Sequence, residues 1–169
     1  SFAANKPWDQ LVRELLGQDG TDPNLRAAAR FFLDRDGDVH LLTKDVGKLF
    51  LGVSLECAQC HDHPSIDDYK QAHYYGLQAF LVRSYVFTKA NEPTVFAEKA
   101  EGEVSFESVF EIRDKKSTGP KSTMPVLFNG KTFEDPKFEK GQEYKVKPDK
   151  DVRGVPNYSR RALLGTAIT

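Results

Sequence analysis

Apolar residues recur at intervals of three and four through the first half of the chain, and alternate with polar ones in part of the second. Trp8, Leu11, Val12, Leu15 and Leu16 form the first stripe. It predicts a helix entered through Pro7, anchored by Trp8 and stopped by Gly17 and Gly20. Residues 24–33, rich in alanine and arginine, read as a second short helix. Asp34-Arg35-Asp36-Gly37-Asp38 then makes a polar turn. The clearest stripe is Leu42, Val46, Leu49, Phe50 and Val53, which predicts a helix around residues 41–55. Asp67 and Asp68 are placed to cap another helix over 67–84, with His73, Leu77, Phe80 and Leu81 along one face.

After Arg83 the period changes. Val104, Phe106, Phe110 and Ile112 alternate with Glu103, Ser105, Glu107 and Glu111, a strand pattern softened at Ser108. Met124-Pro125-Val126-Leu127-Phe128 runs into Asn129-Gly130, a strong turn signal, and Tyr144 with Val146 marks one more short strand. A helix restarts after Ser159. The fold class expected is mainly α, with a β-containing insertion in the second half. Its parts would be a helical segment over 1–85, a strand- and loop-rich insertion over 95–148, and the start of a helix at 157–169 leading to a following domain. The opening Ser1-Phe2-Ala3-Ala4, with neither Met nor a signal-like apolar stretch, reads as a mature or excised chain.

Composition narrows the class. The chain has 169 residues, a formal charge of −1 and 39% hydrophobic residues, which fits one globular domain with a real core and argues against a polybasic nucleic-acid binder. No apolar run approaches the length of a membrane span. There is no Walker loop, G-x-G-x-x-G or nucleophile elbow. Two cysteines exclude a disulfide-stapled scaffold, and their placement matters more than their number.

Cys57-Ala58-Gln59-Cys60-His61 is the C-x-x-C-H pattern of c-type haem attachment. Two thiols at this spacing meet the two haem vinyl groups as thioethers, and the adjoining imidazole is carried beneath the iron as axial ligand. Three rivals stand beside haem. A dithiol redox pair would want a strand feeding a helix, whereas a helix precedes these cysteines. Zinc could use Cys57, Cys60, His63 and a remote ligand, with His73 the nearest to the usual spacing. A structural disulfide is the third.

The run Leu49-Phe50-Leu51-Gly52-Val53-Ser54-Leu55-Glu56-Cys57-Ala58-Gln59-Cys60-His61-Asp62-His63-Pro64 resembles the signature of the large planctomycete cytochrome-like proteins. It is closest in character to their second cytochrome-type domain, catalogued as a domain of unknown function. The resemblance extends back to Asn5 through Leu16 and forward to Tyr74 through Phe80 and to Arg83. It returns at Pro125 through Gly130 and at Arg160-Arg161, and is loose over 86–120. It implies that Cys57, Cys60 and His61 bind haem, with His63-Pro64 as an accompanying feature, in an exported multidomain protein. The chain departs from the family at His73, where an acidic residue commonly precedes the paired tyrosines.

The sixth iron position separates electron transfer from ligand chemistry. Met124, the only methionine, lies in a turn far downstream and is the leading distal candidate, because a loop thioether favours reduced iron. His73 is the runner-up and His40 a weaker third; an open iron is the remaining alternative. His63, two residues from the proximal ligand, is better placed to bond a propionate or cap the next turn. Phe50, Tyr74, Tyr75 and Phe80 are candidates for the haem wall. Asp62 is a candidate to orient the His61 ring, and Arg83, Arg160 or Arg161 to pair with propionates. Asp34 to Asp38 has the alternating carboxylates of a calcium loop, but its glycine falls fourth instead of sixth, so it reads as a helix-capping turn.

The leading expectation is a mainly α, cytochrome c-like haem domain with a β-containing insertion, larger than the minimal small cytochrome c, that carries one haem, transfers one electron and turns over no substrate of its own. The alternative is a haem sensor, or a catalytic accessory domain with an exchangeable sixth site in a larger exported protein. A third is an interaction module stapled by its haem. The expected partner is a redox protein or a neighbouring domain of the same polypeptide, with no nucleic acid and no membrane span. The isolated domain would be a monomer, and attachment of haem outside the cytoplasm would make the location periplasmic or otherwise exported.

Overall fold

The computed structural model describes residues 5–169, so the start read as mature or excised, Ser1 to Ala4, lies outside the described residues. The elements in chain order are α1 (Trp8–Gly17), α2 (Arg26–Leu33), α3 (Val39–Phe50), a 3-10 turn (Cys57–Gln59), α4 (Gln71–Gln78), β1 (Ser84–Phe87), β2 (Val95–Glu98), β3 (Val104–Phe106), α5 (Val109–Arg113), β4 (Lys121–Thr123), β5 (Tyr144–Val146), β6 (Val155–Pro156) and α6 (Arg160–Ala167). The described strands form three two-stranded antiparallel pairs, β1–β2, β3–β4 and β5–β6. The architecture is therefore mixed α/β, with helices concentrated early and strands later, where a mainly α haem fold was expected. Among the described residues no helix is long and apolar enough to cross a membrane.

Two compact units interleave along the chain. One comprises the residues up to Asp38, Arg83–Glu101 and Asp135–Thr169; the other comprises Val39–Val82 and Gly102–Glu134. In the first unit, Val12 and Leu16 of α1 are buried one turn apart, and α1 packs on α6. A side chain at Gly165 would stand 3.2 Å from the Arg13 Cα, so the helices meet at the middle and end of α1. Trp8 is 59% exposed and does not anchor the helix as its place in the stripe suggested.

Phe32 of α2 stacks on Phe96 of β2 at 4.5 Å, and the Arg161 guanidinium lies 4.9 and 5.0 Å from the two rings. The Asp34–Asp38 segment forms a turn. Asp34 pairs with Arg30, Gly37 takes a left-handed φ of 68°, and among the described residues no three of His, Cys, Asp and Glu gather as metal ligands.

The same unit buries a cluster of charges. Arg160, 0% exposed, donates from Nε and Nη2 to the two Asp135 oxygens at 2.8 and 2.6 Å, and Arg83 donates to Asp135 Oδ2 at 2.6 Å. Buried Glu98 accepts from the Arg160 amide at 2.9 Å and from the Ser159 hydroxyl. Burial raises the Glu98 pKa, outweighing the pull of Arg161. At Asp135 the balance runs the other way. Burial there pushes the pKa up, but the Arg160 hydrogen bond and the charges of Arg160 and Arg83 bring it below the ordinary value. Arg83, Arg160 and Arg161, considered above for propionates, are thus committed to Asp135, to Glu98 and to backbone oxygens within their own unit.

The second unit is built on α3 and α4. Leu42 and Val46 of α3 are buried, and Gly47 lets Leu55 pack where a side chain would stand 3.2 Å from its Cδ1. The helix ends at Phe50 instead of reaching residue 55. Gly52 takes a φ of 69°, and the Val53 amide turns back to the Gly47 carbonyl at 3.0 Å. The second helix is likewise shorter than 67–84. Its first amide, that of Gln71, is taken by Asp62 Oδ1 at 2.7 Å, while Asp67 and Asp68 stay exposed. After Gln78 the backbone tightens through Phe80 N–H to Leu77 O at 3.2 Å and Leu81 N–H to Gln78 O at 2.8 Å.

β3 and β4 pair Val104 with Thr123 and Phe106 with Lys121. The alternation beyond Ser108 does not continue the strand. Ser108 caps α5 by accepting the Glu111 amide at 3.4 Å, so Phe110 and Ile112 lie on a helix. The Asn129-Gly130 turn forms as read, with the Leu127 amide on the Lys131 carbonyl at 3.1 Å and Gly130 at a φ of 78°.

Gly76 carries the closest approach in this unit. A Cβ there would stand 3.0 Å from Val126 Cβ and 3.1 Å from its carbonyl oxygen, and the Val126 amide donates to the Gly76 carbonyl at 3.1 Å. Gly76→Val is expected to destabilise the domain by about 1–3 kcal/mol through overpacking, read as a lowered denaturant midpoint. An unchanged midpoint would contradict this packing.

Candidate functional site

The motif begins where α3 has ended and a short connection has delivered Leu55 into the core. Within the 3-10 turn Ala58 is buried, while Cys57 and Cys60 are exposed and unbonded to each other. The Cys60 and His61 amides both donate to the Cys57 carbonyl at 3.1 Å, so the thiols and the imidazole leave one tight loop of backbone.

His61 Nδ1 lies 2.7 Å from the Asp62 carbonyl oxygen. A carbonyl only accepts, so Nδ1 carries the proton and Nε2 keeps its lone pair for a metal. The orienting group is thus the Asp62 backbone. Its carboxylate, considered for that role, is occupied in capping α4. His63 sits apart from this ring. Its Nδ1 accepts from the Ser65 amide at 3.1 Å, its amide donates to the Tyr69 carbonyl at 2.8 Å, and its ring meets Tyr69 edge-on at 6.0 Å.

Two consecutive tyrosines of α4 do different work. Tyr74 is fully buried, and its hydroxyl meets His40 Nδ1 at 2.7 Å. Tyr75 is half-buried, stacks on Phe106 at 4.7 Å, and donates its hydroxyl to the Gln59 carbonyl at 3.1 Å. Burial, then the neighbouring Cys60, raise the Tyr75 phenol above its ordinary pKa, which keeps it a donor. Phe50 is half-buried at the end of α3.

Of the distal candidates, Met124 is half-buried directly after β4, with the Thr123 hydroxyl donating to its carbonyl at 3.2 Å. His73 is half-buried against Phe128 at 5.3 Å, and its Nδ1 takes the Lys70 amide at 3.4 Å, at the start of α4. His40 contributes Nδ1 to a set of contacts with Tyr74, Gln59 and Gln78.

The donor chemistry fits haem attachment: two accessible unpaired thiols at the right spacing, and an accessible imidazole in the tautomer that offers Nε2. It fits zinc poorly, because among the described residues no third histidine, cysteine or carboxylate group completes a site. Reasoning from sequence missed Gln59 and gave His40 a different place. Only the position of Gln59 between the cysteines could have drawn attention to it.

The fold and this turn define a mixed α/β domain that displays a C-x-x-C-H loop on its surface. The chain belongs to PSCyt2, the planctomycete-type cytochrome-like domain family: residues 1–85 match the family model, which is described as a protein of unknown function (DUF1549). No curated protein and no solved structure matches the chain.

Proposed function

We propose that this domain carries one haem, bound covalently through Cys57 and Cys60 with His61 Nε2 as axial ligand, and serves in one-electron transfer. The observation that carries the reading is the joint exposure of both thiols and the His61 ring on one turn, with Nδ1 already engaged by a carbonyl. Bound haem supplies an iron that cycles between two oxidation states. The protein's part is to hold the thiols, to keep the His61 proton on Nδ1 through the Asp62 carbonyl, and to shield the site with neighbouring aromatic groups. Tyr75, bonded to the turn at the Gln59 carbonyl, is such a group, and Phe50 of α3 and the fully buried Tyr74 of α4 stand as the further candidates. His63 accompanies the motif as a second polar group. Lys70 lines a recess of about 150 Å³ beside Asp62 and Glu111 and offers a cationic partner for a propionate, whereas Lys121 in the same recess is paired with Glu111 at 3.0 Å.

Met124 is the proposed distal ligand, with His73 as runner-up. The single domain would be a monomer, would meet a redox protein or a neighbouring domain of its own polypeptide, and would be matured outside the cytoplasm, in the periplasm or its equivalent.

Oxidised and reduced absorption spectra of the natively matured domain test this reading. Met124→Ala is expected to convert a low-spin spectrum into a high-spin one that binds carbon monoxide, whereas His73→Ala leaves it unchanged. A wild-type spectrum that is already high-spin and binds carbon monoxide readily would overturn the electron-carrier reading in favour of a sensor. The reverse pattern in the two variants would transfer the ligand to His73.

A further inference from the structure

We propose that His40 is a positioning residue that, through Gln59, locks the attachment turn onto α3 and α4. The inference rests on the haem reading of that turn and concerns how the turn is held. The turn has little burial to fix it: Ala58 is buried, whereas Cys57, Cys60 and His61 are exposed. Its position therefore depends on hydrogen bonds, and Gln59 makes them at both ends. The Gln59 side-chain amide lies 3.3 Å from His40 Nδ1, and its backbone carbonyl accepts the Tyr75 hydroxyl at 3.1 Å.

His40 is the hub. Its Nδ1 also meets the Tyr74 hydroxyl at 2.7 Å and the Gln78 side-chain amide at 3.1 Å, and those two residues stand one turn apart on α4. Both amide groups donate, so Nδ1 is the acceptor and the ring proton sits on Nε2. One lone pair serves three donors. The bond to Gln59 is the longest of the three, as expected for the contact that reaches out from the helices to the turn. One imidazole at the start of α3 thus joins α4 to the residue between the two cysteines.

This role differs from the distal-ligand role considered for His40 above, since Nδ1 is spent on protein groups. It also gives the second intervening residue of the motif a requirement of its own: a side chain with an amide donor long enough to reach His40.

Amide hydrogen exchange in the full chain without haem tests the lock directly. The Cys60 and His61 amides report on it, because both donate to the Cys57 carbonyl. His40→Ala is expected to speed their exchange about tenfold while the buried Val46 amide of α3 keeps its rate. His40→Asn, whose Oδ1 takes the place of Nδ1, is expected to bring both amides back to within about twofold of wild type. Tyr75→Phe removes the bond to the Gln59 carbonyl, together with the phenol's contact with the Gln71 side chain, and is expected to speed the same two amides severalfold, which keeps the test decisive if His40→Ala fails to fold.

On natural maturation, covalent haem per chain is expected to fall severalfold in His40→Ala and recover in His40→Asn. Exchange at Cys60 and His61 that ignores His40→Ala, or that His40→Asn fails to restore, would overturn the lock. A wild-type chain that takes up no haem would instead overturn the haem reading and leave the exchange result standing.

Discussion

A chain with both Cys57→Ala and Cys60→Ala is expected to lose all haem to acid–acetone extraction while unfolding at the denaturant concentration of the haem-free wild-type chain. Both thiols are exposed and neither has a sulfur partner, so their removal costs the core nothing. Each single variant keeps one thioether site and is expected to retain pigment with an altered reduced band. His61→Ala separates attachment from ligation. Its pigment stays covalently bound, but the low-spin spectrum disappears, because the Nε2 ligand is gone while both thiols remain. Equal retention of pigment in the double variant and the wild type would mean that the haem is held elsewhere.

Removal of one carboxylate in the other unit is expected to have the largest effect on stability. Asp135→Ala leaves the Arg160 and Arg83 guanidiniums facing one another without their shared anion, in places where Arg160 is 0% and Arg83 5% exposed. Breaking a buried pair from one side costs about 3–5 kcal/mol. Asp135 keeps some exposure, so about 3 kcal/mol is expected, measured by denaturant unfolding.

The pH dependence follows from the sign of the shift. The folded pKa of Asp135 lies below its unfolded value. Its contribution is therefore complete above the unfolded pKa and is lost as pH falls through the folded one. Glu98 works oppositely. Its folded pKa is raised, so the stability from its protonated form is present below the unfolded pKa and is lost as pH rises through the folded pKa. Subtracting the Asp135→Asn curve from the wild-type curve cancels Glu98 and isolates Asp135. The difference is expected to shrink below about pH 4. A difference independent of pH would contradict the ion-pair account.

Legibility from sequence followed the range of the forces involved. α1, α2, α6 and the Asn129-Gly130 turn are set by contacts a few residues apart, and the pattern placed them within a residue or two. The misread features are those where one signal overrode another. Asp62 displaced Asp67 and Asp68 as the cap of α4, because a loop closed between Tyr69 and His63 brings it to the helix start. Ser108 turned an alternating run into a helix. Trp8 lies in a well-formed stripe but stays 59% exposed. The interleaving of two units from five chain segments left no trace in composition.

At the site, the cysteines and His61 stood out in the sequence as one C-x-x-C-H motif, and the structure gathers them on a single turn. The His61 tautomer and the His40–Gln59–Tyr75 set were not. Those bonds join residues 16 to 38 positions apart, and polar side chains carry no periodic mark of a distant partner. Asp135 was equally silent, since nothing near it in sequence announces two buried arginines.

The central claim is covalent haem on the motif, and intact mass spectrometry of the natively matured wild-type chain after acid–acetone treatment tests it most directly. The expected mass is that of the polypeptide plus one haem, with the addition mapped to the peptide that contains Cys57 and Cys60. The bare polypeptide mass, from cells shown to attach haem to another c-type protein, would contradict it.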